Sequence, residues 1–193
     1  MIYDVVVIGG GPSGATAANE LASLNRKVAF IDKEGRIKPC GGAVPPRLIK
    51  DFDIPETQIV AKITTARMIS PTARKVDIPI ENGYVGMVDR ENFDEFLRTR
   101  AKDAGAHRFT GTFLRVLRKS GENFVAVVFK EKNSLKEITL KTKLIIGADG
   151  ARSNVARAEV PGGKTIPYVI AYHEIIEAPK NSQYDPDRCD VIY

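Results

Sequence analysis

Three glycines near the start of the chain, in the pattern Gly9-x-Gly11-x-x-Gly14, have the spacing of a pyrophosphate-binding turn. In such a turn the first glycine makes a sharp change of direction, the second lets the backbone approach the phosphates, and the third lets a helix pack closely on a strand. The phosphates then lie at the helix N-terminus, where free backbone N–H groups point outwards. With Pro12 and Ser13 between the glycines, this stretch is predicted to bind a dinucleotide.

Asp32 completes the same pattern. It ends an apolar run and stands about 20 residues beyond the glycines, where a carboxylate typically accepts hydrogen bonds from the ribose hydroxyls of an adenosine. Because a carboxylate repels the 2′-phosphate of NADP, the site should take FAD or NAD. Asp32 and its neighbour Lys33 are therefore predicted binding residues.

A strand, a helix and a second strand must position these residues. Val5–Ile8 is a continuous β-branched run, typical of a strand buried on both faces. An alanine-rich helix over 15–24 and an apolar strand over 27–31 follow. The alternative is an ordinary strand, turn and helix without a ligand, but Asp32 at the end of the second strand favours the dinucleotide site.

Further elements follow from periodicity and from turn residues. Asp89 is predicted to cap a helix that Gly105 ends. The remaining predictions are a loop over 33–46, a short helix over 47–52, strands over 62–70, 74–78, 84–88, 109–117, 124–129, 138–140 and 144–146, a helix over 151–158, and a strand over 165–176. The antiparallel ribbons among these would be inserted between two parts of one nucleotide-binding sheet. The sequence ends within a pattern typical of a further strand. This ending predicts that the sequence is a fragment of a longer protein.

Composition limits the classes of function. The chain has 193 residues, of which 43% are hydrophobic, and a net charge of +5 without a basic block, so nucleic-acid binding is not expected. Two cysteines indicate a reducing, cytoplasmic compartment without a disulfide framework. No apolar run approaches the roughly 20 residues needed to cross a bilayer. Cys189, His107 and His173 lack a pattern of partners, so they are interpreted as structural and no metal site is predicted.

Two later motifs resemble the flavoproteins of the aromatic-hydroxylase type. These are Asp149-Gly150, which follows an apolar strand and precedes a serine and an arginine, and Asp89-Arg90 before the middle helix. In that superfamily the arginine reaches the phosphate or ribityl side of the flavin, and the Asp-Gly stretch faces the pyrophosphate. The resemblance therefore implies FAD rather than NAD, with Arg90, Asp149 and Gly150 among the contacts.

Three stretches are similar to the geranylgeranyl reductases, and most closely to the branch that completes the phytyl tail of chlorophyll and bacteriochlorophyll. They are Lys38-Pro39-Cys40-Gly41-Gly42-Ala43-Val44-Pro45, Met68-Ile69-Ser70-Pro71 and Tyr84-Val85-Gly86-Met87-Val88. The resemblance implies an FAD enzyme that uses NADPH to saturate geranylgeranyl double bonds, on a pigment ester or on the free diphosphate. One departure is Asp32, where many relatives have glutamate, which changes reach but not charge.

Cys40 is the candidate proton donor for this chemistry. An isolated alkene has no carbonyl to polarise it, so a hydride from reduced flavin must be matched by a proton in a dry pocket. Gly41 and Gly42 lack side chains that would obstruct the flat flavin ring. The alternative is that Cys40 only packs against the flavin.

Together these observations predict an α/β protein with a Rossmann-like FAD-binding domain over 1–163, including inserted strands over 62–88, and the start of a substrate-side domain over 164–193. The expected partners are an isoprenoid or pigment substrate and, peripherally, a photosynthetic membrane; no obligate protein partner is indicated. Two other functions stay open. An FAD-dependent aromatic monooxygenase is one, although Cys40-Gly41-Gly42 argues against it, and an inactive flavin-binding fragment is the other.

Overall fold

The computed structural model describes residues 1–34, 40–177 and 184–193. The chain forms two compact units, one from residues 1–36 with 94–170 and the other from residues 37–93 with 171–193. The elements in chain order are β1 (Ile2–Ile8), α1 (Pro12–Ser23), β2 (Val28–Asp32), β3 (Ala43–Val44), α2 (Pro46–Asp51), a 3₁₀ turn (Glu56–Gln58), β4 (Ala61–Ile63), β5 (Thr65–Ile69), β6 (Lys75–Pro79), β7 (Val85–Met87), α3 (Arg90–Asp103), β8 (His107–Leu117), β9 (Val125–Glu131), β10 (Glu137–Gly147), α4 (Asn154–Glu159) and β11 (Arg188–Ile192).

Strand β1 is the centre of the first unit. It pairs in parallel with β2 on one side and with β10 on the other. Val6 and Ile8 face a core that includes Phe113 and Phe129. The alternate residues Val5 and Val7 pack in a second cluster with the alanines of α1. The predicted strand buried on both faces is confirmed, and the small side chains of α1 are what let the helix lie close to the sheet.

The five strands of this unit close into a barrel in the order β1-β10-β9-β8-β2. The parallel part carries the glycine motif, and the antiparallel ribbon β8-β9-β10 continues from it. Strand β10 belongs to both parts, because it pairs with β9 over residues 137–142 and with β1 over residues 141–147. The predicted α/β fold with inserted antiparallel ribbons is therefore confirmed.

The second unit contains two small sheets. One has the order β3-β7-β4, and the other has the order β11-β5-β6. Strand β11 pairs in parallel with β5, from Arg188 opposite Thr65 to Ile192 opposite Ile69. The predicted final strand is thus present, and its partner lies far away in the sequence.

The predicted strand over Thr165–Ile176 is wrong. Residues 166–177 belong to neither a helix nor a strand. Val169 and Ile170 are 93% and 91% exposed, so within the described parts of the chain no sheet buries the apolar residues of this alternation. Alternation marks a strand only where a second strand pairs with the backbone and a core covers one face.

Within the described parts of the chain, no helix is long and apolar enough to cross a membrane.

Candidate cofactor-binding site

The glycine turn (residues 9–14) lies where three strands of the first unit end together. The amide of Gly9 donates to the carbonyl of Ile31 at the end of β2, with a distance of 2.8 Å, and the amide of Ala148 donates to the carbonyl of Ile8 at 2.7 Å. The turn is thus fixed by β2 on one side and by the end of β10 on the other. This is the carboxyl edge of the parallel strands, where ligands bind in such sheets.

Two of the predicted glycines are sterically required. Gly9 has a φ of +108°, and a Cβ placed there would lie 2.2 Å from the carbonyl oxygen of Ala148. A Cβ on Gly14 would lie 1.8 Å from the carbonyl oxygen of Gly9. The backbone at Gly9 therefore packs directly against the backbone of Ala148, and the start of α1 at Gly14 packs directly against the backbone of Gly9, as the spacing predicted.

Helix α1 begins inside the turn, with Gly11 as its N-cap and Pro12 as its first residue. Among the described residues no side chain caps this end, and the first turn of the helix holds no acidic residue. The amide of Ala15 donates to Gly11, so the amides of Ser13 and Gly14 precede the first hydrogen bond of the helix. Unsatisfied amides and the positive end of the helix dipole favour an anion such as a pyrophosphate.

Asp32 ends β2 beside the turn, as predicted, and its side chain is 16% exposed. Its Oδ1 accepts a hydrogen bond from the amide of Gly10 at 3.2 Å, and its Oδ2 accepts one from the amide of Glu34 at 3.4 Å. A carboxylate held in this way is preorganised to accept further hydrogen bonds from hydroxyl groups. Its distance from the glycine turn suits the adenosine half of a dinucleotide.

Gly10 and Arg98 belong to this site, although sequence reasoning did not select them. A Cβ on Gly10 would lie 2.6 Å from Cβ of Asp32 and 2.7 Å from its Cγ. The run of three consecutive glycines could have indicated this close approach. Arg98 of α3 places its Nη1 3.3 Å from Oδ2 of Asp32, and no local pattern indicates a contact between residues so far apart in the chain.

A network of alternating charges continues away from Asp32. Glu95 accepts from Nε of Arg98 at 2.9 Å and from Nη1 of Arg108 at 2.5 Å. Arg108 also lies 3.4 Å from Glu34, which in turn lies 3.4 Å from Lys132. Hydrogen bonding from Arg108, followed by that from Arg98, lowers the pKa of Glu95 from 4.5 to about 2. Glu95 is therefore charged at neutral pH and holds both arginines.

Asp149 lies beside the glycine turn, because its amide nitrogen would be 2.7 Å from a Cβ on Gly9. Its carboxylate supports the start of α4, whose N-cap is Ser153: it accepts from the hydroxyl of Ser153 and from the amides of Asn154 and Val155, the first amide at 2.6 Å. Gly150 has a φ of +89°. The carboxylate of Asp149 thus has a structural role here, and direct contact of this stretch with a cofactor stays a prediction.

Two other predicted contacts lie at the ends of elements. Lys33 is exposed just after β2. Arg90 is the first residue of α3, and the predicted cap of that helix is confirmed because Oδ1 of Asp89 accepts from the amide of Glu91 at 3.0 Å. Their contacts with a cofactor remain predictions.

The loop around Cys40 belongs to the second unit. Cys40 is exposed, and a Cβ on Gly41 would have no heavy atom of the described residues within 4 Å. Gly42 has a φ of +75°, and a Cβ there would lie 2.1 Å from the carbonyl oxygen of Val88. The amide of Val88 donates to Gly42 at 2.9 Å. Gly42 therefore fixes the backbone, whereas Gly41 leaves open space. Lys38 and Pro39 of the same motif lie outside the described residues.

A model of FAD-dependent oxidoreductases matches residues 4–162, a range that includes the glycine turn, Asp32, Arg90 and Asp149. The chain belongs to the FAD-dependent oxidoreductase family. The residues around the turn fit this cofactor, because they combine glycines that a Cβ would block, a helix end free of acidic residues, and a carboxylate for the ribose. The predicted cofactor FAD is supported by this membership.

Over its whole length this FAD-dependent oxidoreductase is 61% identical to a geranylgeranyl diphosphate reductase of Rhodobacter capsulatus, of which it covers 49%. Over 90% of its length it is 38% identical to a chloroplastic geranylgeranyl diphosphate reductase of Nicotiana tabacum, of which it covers 39%. The chain therefore spans between 39% and 49% of the length of these two relatives.

The fold is shared with a solved structure of a geranylgeranyl bacteriochlorophyll reductase-like protein from Thermoplasma acidophilum. The TM-score is 0.81 and the identity is 26%, over 100% of this chain and 50% of that protein. The resemblance to geranylgeranyl reductases that the sequence motifs predicted is thus confirmed.

Proposed function

We propose that the protein to which this chain belongs is an FAD-dependent reductase that uses NADPH to saturate geranylgeranyl double bonds. The product would be a phytyl chain, carried on (bacterio)chlorophyll or on the free diphosphate. The observation that carries this proposal is the 61% identity with a geranylgeranyl diphosphate reductase over the whole chain. The geometry of the glycine turn and of Asp32 supports it, since both suit the adenosine diphosphate part of FAD.

Each group around the turn has a role in holding FAD. The free amides at the start of α1 would hold the pyrophosphate, and Asp32 would accept hydrogen bonds from the ribose. Arg90 would reach the phosphate or ribityl side of the flavin, and the Asp149-Gly150 stretch would face the pyrophosphate. When bound and reduced, FAD supplies a hydride for one alkene carbon, and NADPH restores the reduced form.

Cys40 is the proposed proton donor to the second alkene carbon. The two electrons of the double bond and those of the hydride then form two new C–H bonds, so each reduction adds one H₂. In this step Cys40 gives up the proton of its thiol and is left as a thiolate. Once the product has left, the exposed thiolate of Cys40 can regain its proton from water. The open space at Gly41 would let a flat ring approach this loop.

The domain boundaries and the location of the protein form part of the same proposal. Residues 1–163 would make up the FAD-binding domain, with residues 164–193 beginning the substrate domain. The protein would act on the cytoplasmic side, at the surface of a photosynthetic membrane, because its substrate is largely apolar. The net charge of +5 favours contact with anionic lipid headgroups.

The test uses the full-length protein, loaded with FAD and supplied anaerobically with NADPH and geranylgeranyl diphosphate or a geranylgeranylated pigment. Mass spectrometry should show products heavier by one H₂ for each double bond reduced. A product that gains oxygen, and forms only in air, would indicate a monooxygenase instead. A protein that binds FAD but converts neither substrate would contradict the proposed reaction while leaving the cofactor site in place.

A further inference from the structure

We propose that Arg98 is a positioning residue for the FAD site, acting through Asp32. The inference rests on the proposed function only in assuming that Asp32 binds the adenosine half of the cofactor. Arg98 does not need to touch the ligand, because it sets the position and the charge of the group that does.

Arg98 joins the three parts of the site that must keep a fixed geometry. Its Nη1 lies 3.3 Å from Oδ2 of Asp32 and also donates to the carbonyl oxygen of Gly10 at 3.2 Å. The side chain of Arg98 is 14% exposed, so these contacts are largely shielded from water. The end of β2, the glycine turn and helix α3 are therefore tied together by one guanidinium group.

The contacts of Asp32 are divided unevenly between its two oxygens. Oδ2 accepts from the amide of Glu34 and faces Arg98, whereas Oδ1 accepts from the amide of Gly10, its one hydrogen-bond donor among the described residues. Each carboxylate oxygen has about two acceptor positions. Arg98 thus holds the carboxylate through Oδ2 and leaves Oδ1 with capacity for another donor, as a ribose hydroxyl requires.

The charge of Arg98 has a second effect. A dinucleotide brings a negatively charged pyrophosphate close to the carboxylate of Asp32, and like charges repel each other. The guanidinium offsets the charge of Asp32 at short range without removing its capacity to accept hydrogen bonds. A largely shielded arginine needs partners of its own, and Glu95 supplies one at 2.9 Å.

A purely structural role for Arg98 would lower stability without acting through Asp32. A double-mutant cycle separates these possibilities, because residues that act together show non-additive effects. The measured quantity is the Kd of the full-length protein for FAD and for ADP, which shares the adenosine diphosphate group. Neither measurement depends on reductase activity.

Arg98→Ala should weaken the binding of both ligands about 10- to 100-fold, because the largely buried carboxylate of Asp32 loses the cation that holds it and offsets its charge. In an Asp32→Ala background the same substitution should weaken binding less than about threefold, because its target is missing. Arg98→Lys should give an intermediate loss, since an ammonium keeps the charge but cannot reproduce the planar fork that meets several partners. This variant also keeps the test informative if Arg98→Ala does not fold.

Arg115→Ala is the matched control. Arg115 pairs with Glu137 on the ribbon of β8, β9 and β10 and has no contact with the glycine turn among the described residues, so its substitution should leave both Kd values unchanged. Equal effects of Arg98→Ala with and without Asp32 would overturn the positioning role. Wild-type protein that binds neither FAD nor ADP would instead overturn the cofactor assignment, and with it the proposed function.

Discussion

Substituting Gly10 by alanine tests how closely the glycine turn and Asp32 are packed. The three heavy atoms nearest to a Cβ on Gly10 all belong to Asp32, at 2.6, 2.7 and 3.1 Å. Cβ and Cγ of Asp32 cannot yield as the end of a long flexible side chain could. The added methyl group must therefore displace the carboxylate or the turn itself.

The expected magnitude has two parts. Forcing a methyl group into a packed site costs about 1–3 kcal/mol of unfolding free energy. Displacing the carboxylate also removes its hydrogen bond to the amide of Gly10, and hydrogen bonds to charged groups contribute about 1.5–3 kcal/mol. Both parts lower stability; because a displaced carboxylate also no longer accepts the ribose hydroxyls, and a hydrogen bond to a charged group is worth about 1.5–3 kcal/mol, we expect the Kd for FAD to rise at least tenfold in Gly10→Ala.

The assay is a fluorescence titration of FAD into the apoprotein, with thermal unfolding measured in parallel. Gly105→Ala is the control, because Gly105 has a φ of +104° at the end of α3 and a Cβ there meets no atom within 4 Å. Its substitution should lower stability through backbone strain while leaving the Kd for FAD unchanged. An unchanged Kd in Gly10→Ala would refute the argument that Asp32 must stay in its present position. The same argument would be refuted if Gly10→Ala still destabilised a protein that already carries Asp32→Gly. That protein lacks the Asp32 side chain with which the added methyl group clashes.

Three further predictions concern single side chains. Asp32→Ala should weaken FAD binding by about 1.5–3 kcal/mol, measured by the same titration with HPLC identification of the released cofactor, and release of NAD instead would contradict the assignment. Cys40→Ser should lower turnover more than it lowers FAD affinity. Turnover equal to that of the wild type would mean that Cys40 only packs against the flavin. Glu95→Gln should lower stability at neutral pH by at most about 1 kcal/mol, since the carboxylate is partly exposed. Because the pKa of Glu95 is lowered to about 2, the difference in unfolding free energy between wild type and variant should be complete above pH 4.5 and disappear as the pH falls towards 2. Denaturant titrations at several pH values in this range measure it, and a difference that stayed constant would contradict the reasoning.

The sequence predicted those parts of the site that depend on local pattern. Turn, helix start and strand end follow one another within a few residues, so Gly9, Gly14 and Asp32 could be placed before the structure was known. The contact of Arg98 with Asp32 could not be predicted, because it arises only when α3 packs beside the end of β2. The strand over Thr165–Ile176 failed for the same reason, since a strand depends on a partner that its own sequence does not specify. The support that Asp149 gives to the start of α4 shows that a predicted ligand contact can also carry local structure.

The pairing of β1 with β10 has a consequence for how the chain folds during synthesis. Strand β1 leaves the ribosome well before β10, one of its two neighbours, which is made only after most of the first unit. At about 5–20 residues per second the delay is on the order of ten seconds, during which the apolar run Val5–Ile8 has an unpaired edge. The second unit also depends on a strand that is made late, because β5 pairs with β11, which is synthesised long after it. Each unit is closed by strands far apart in the sequence, so folding should be slow, and the nascent chain should depend on chaperones until β10 and β11 have emerged.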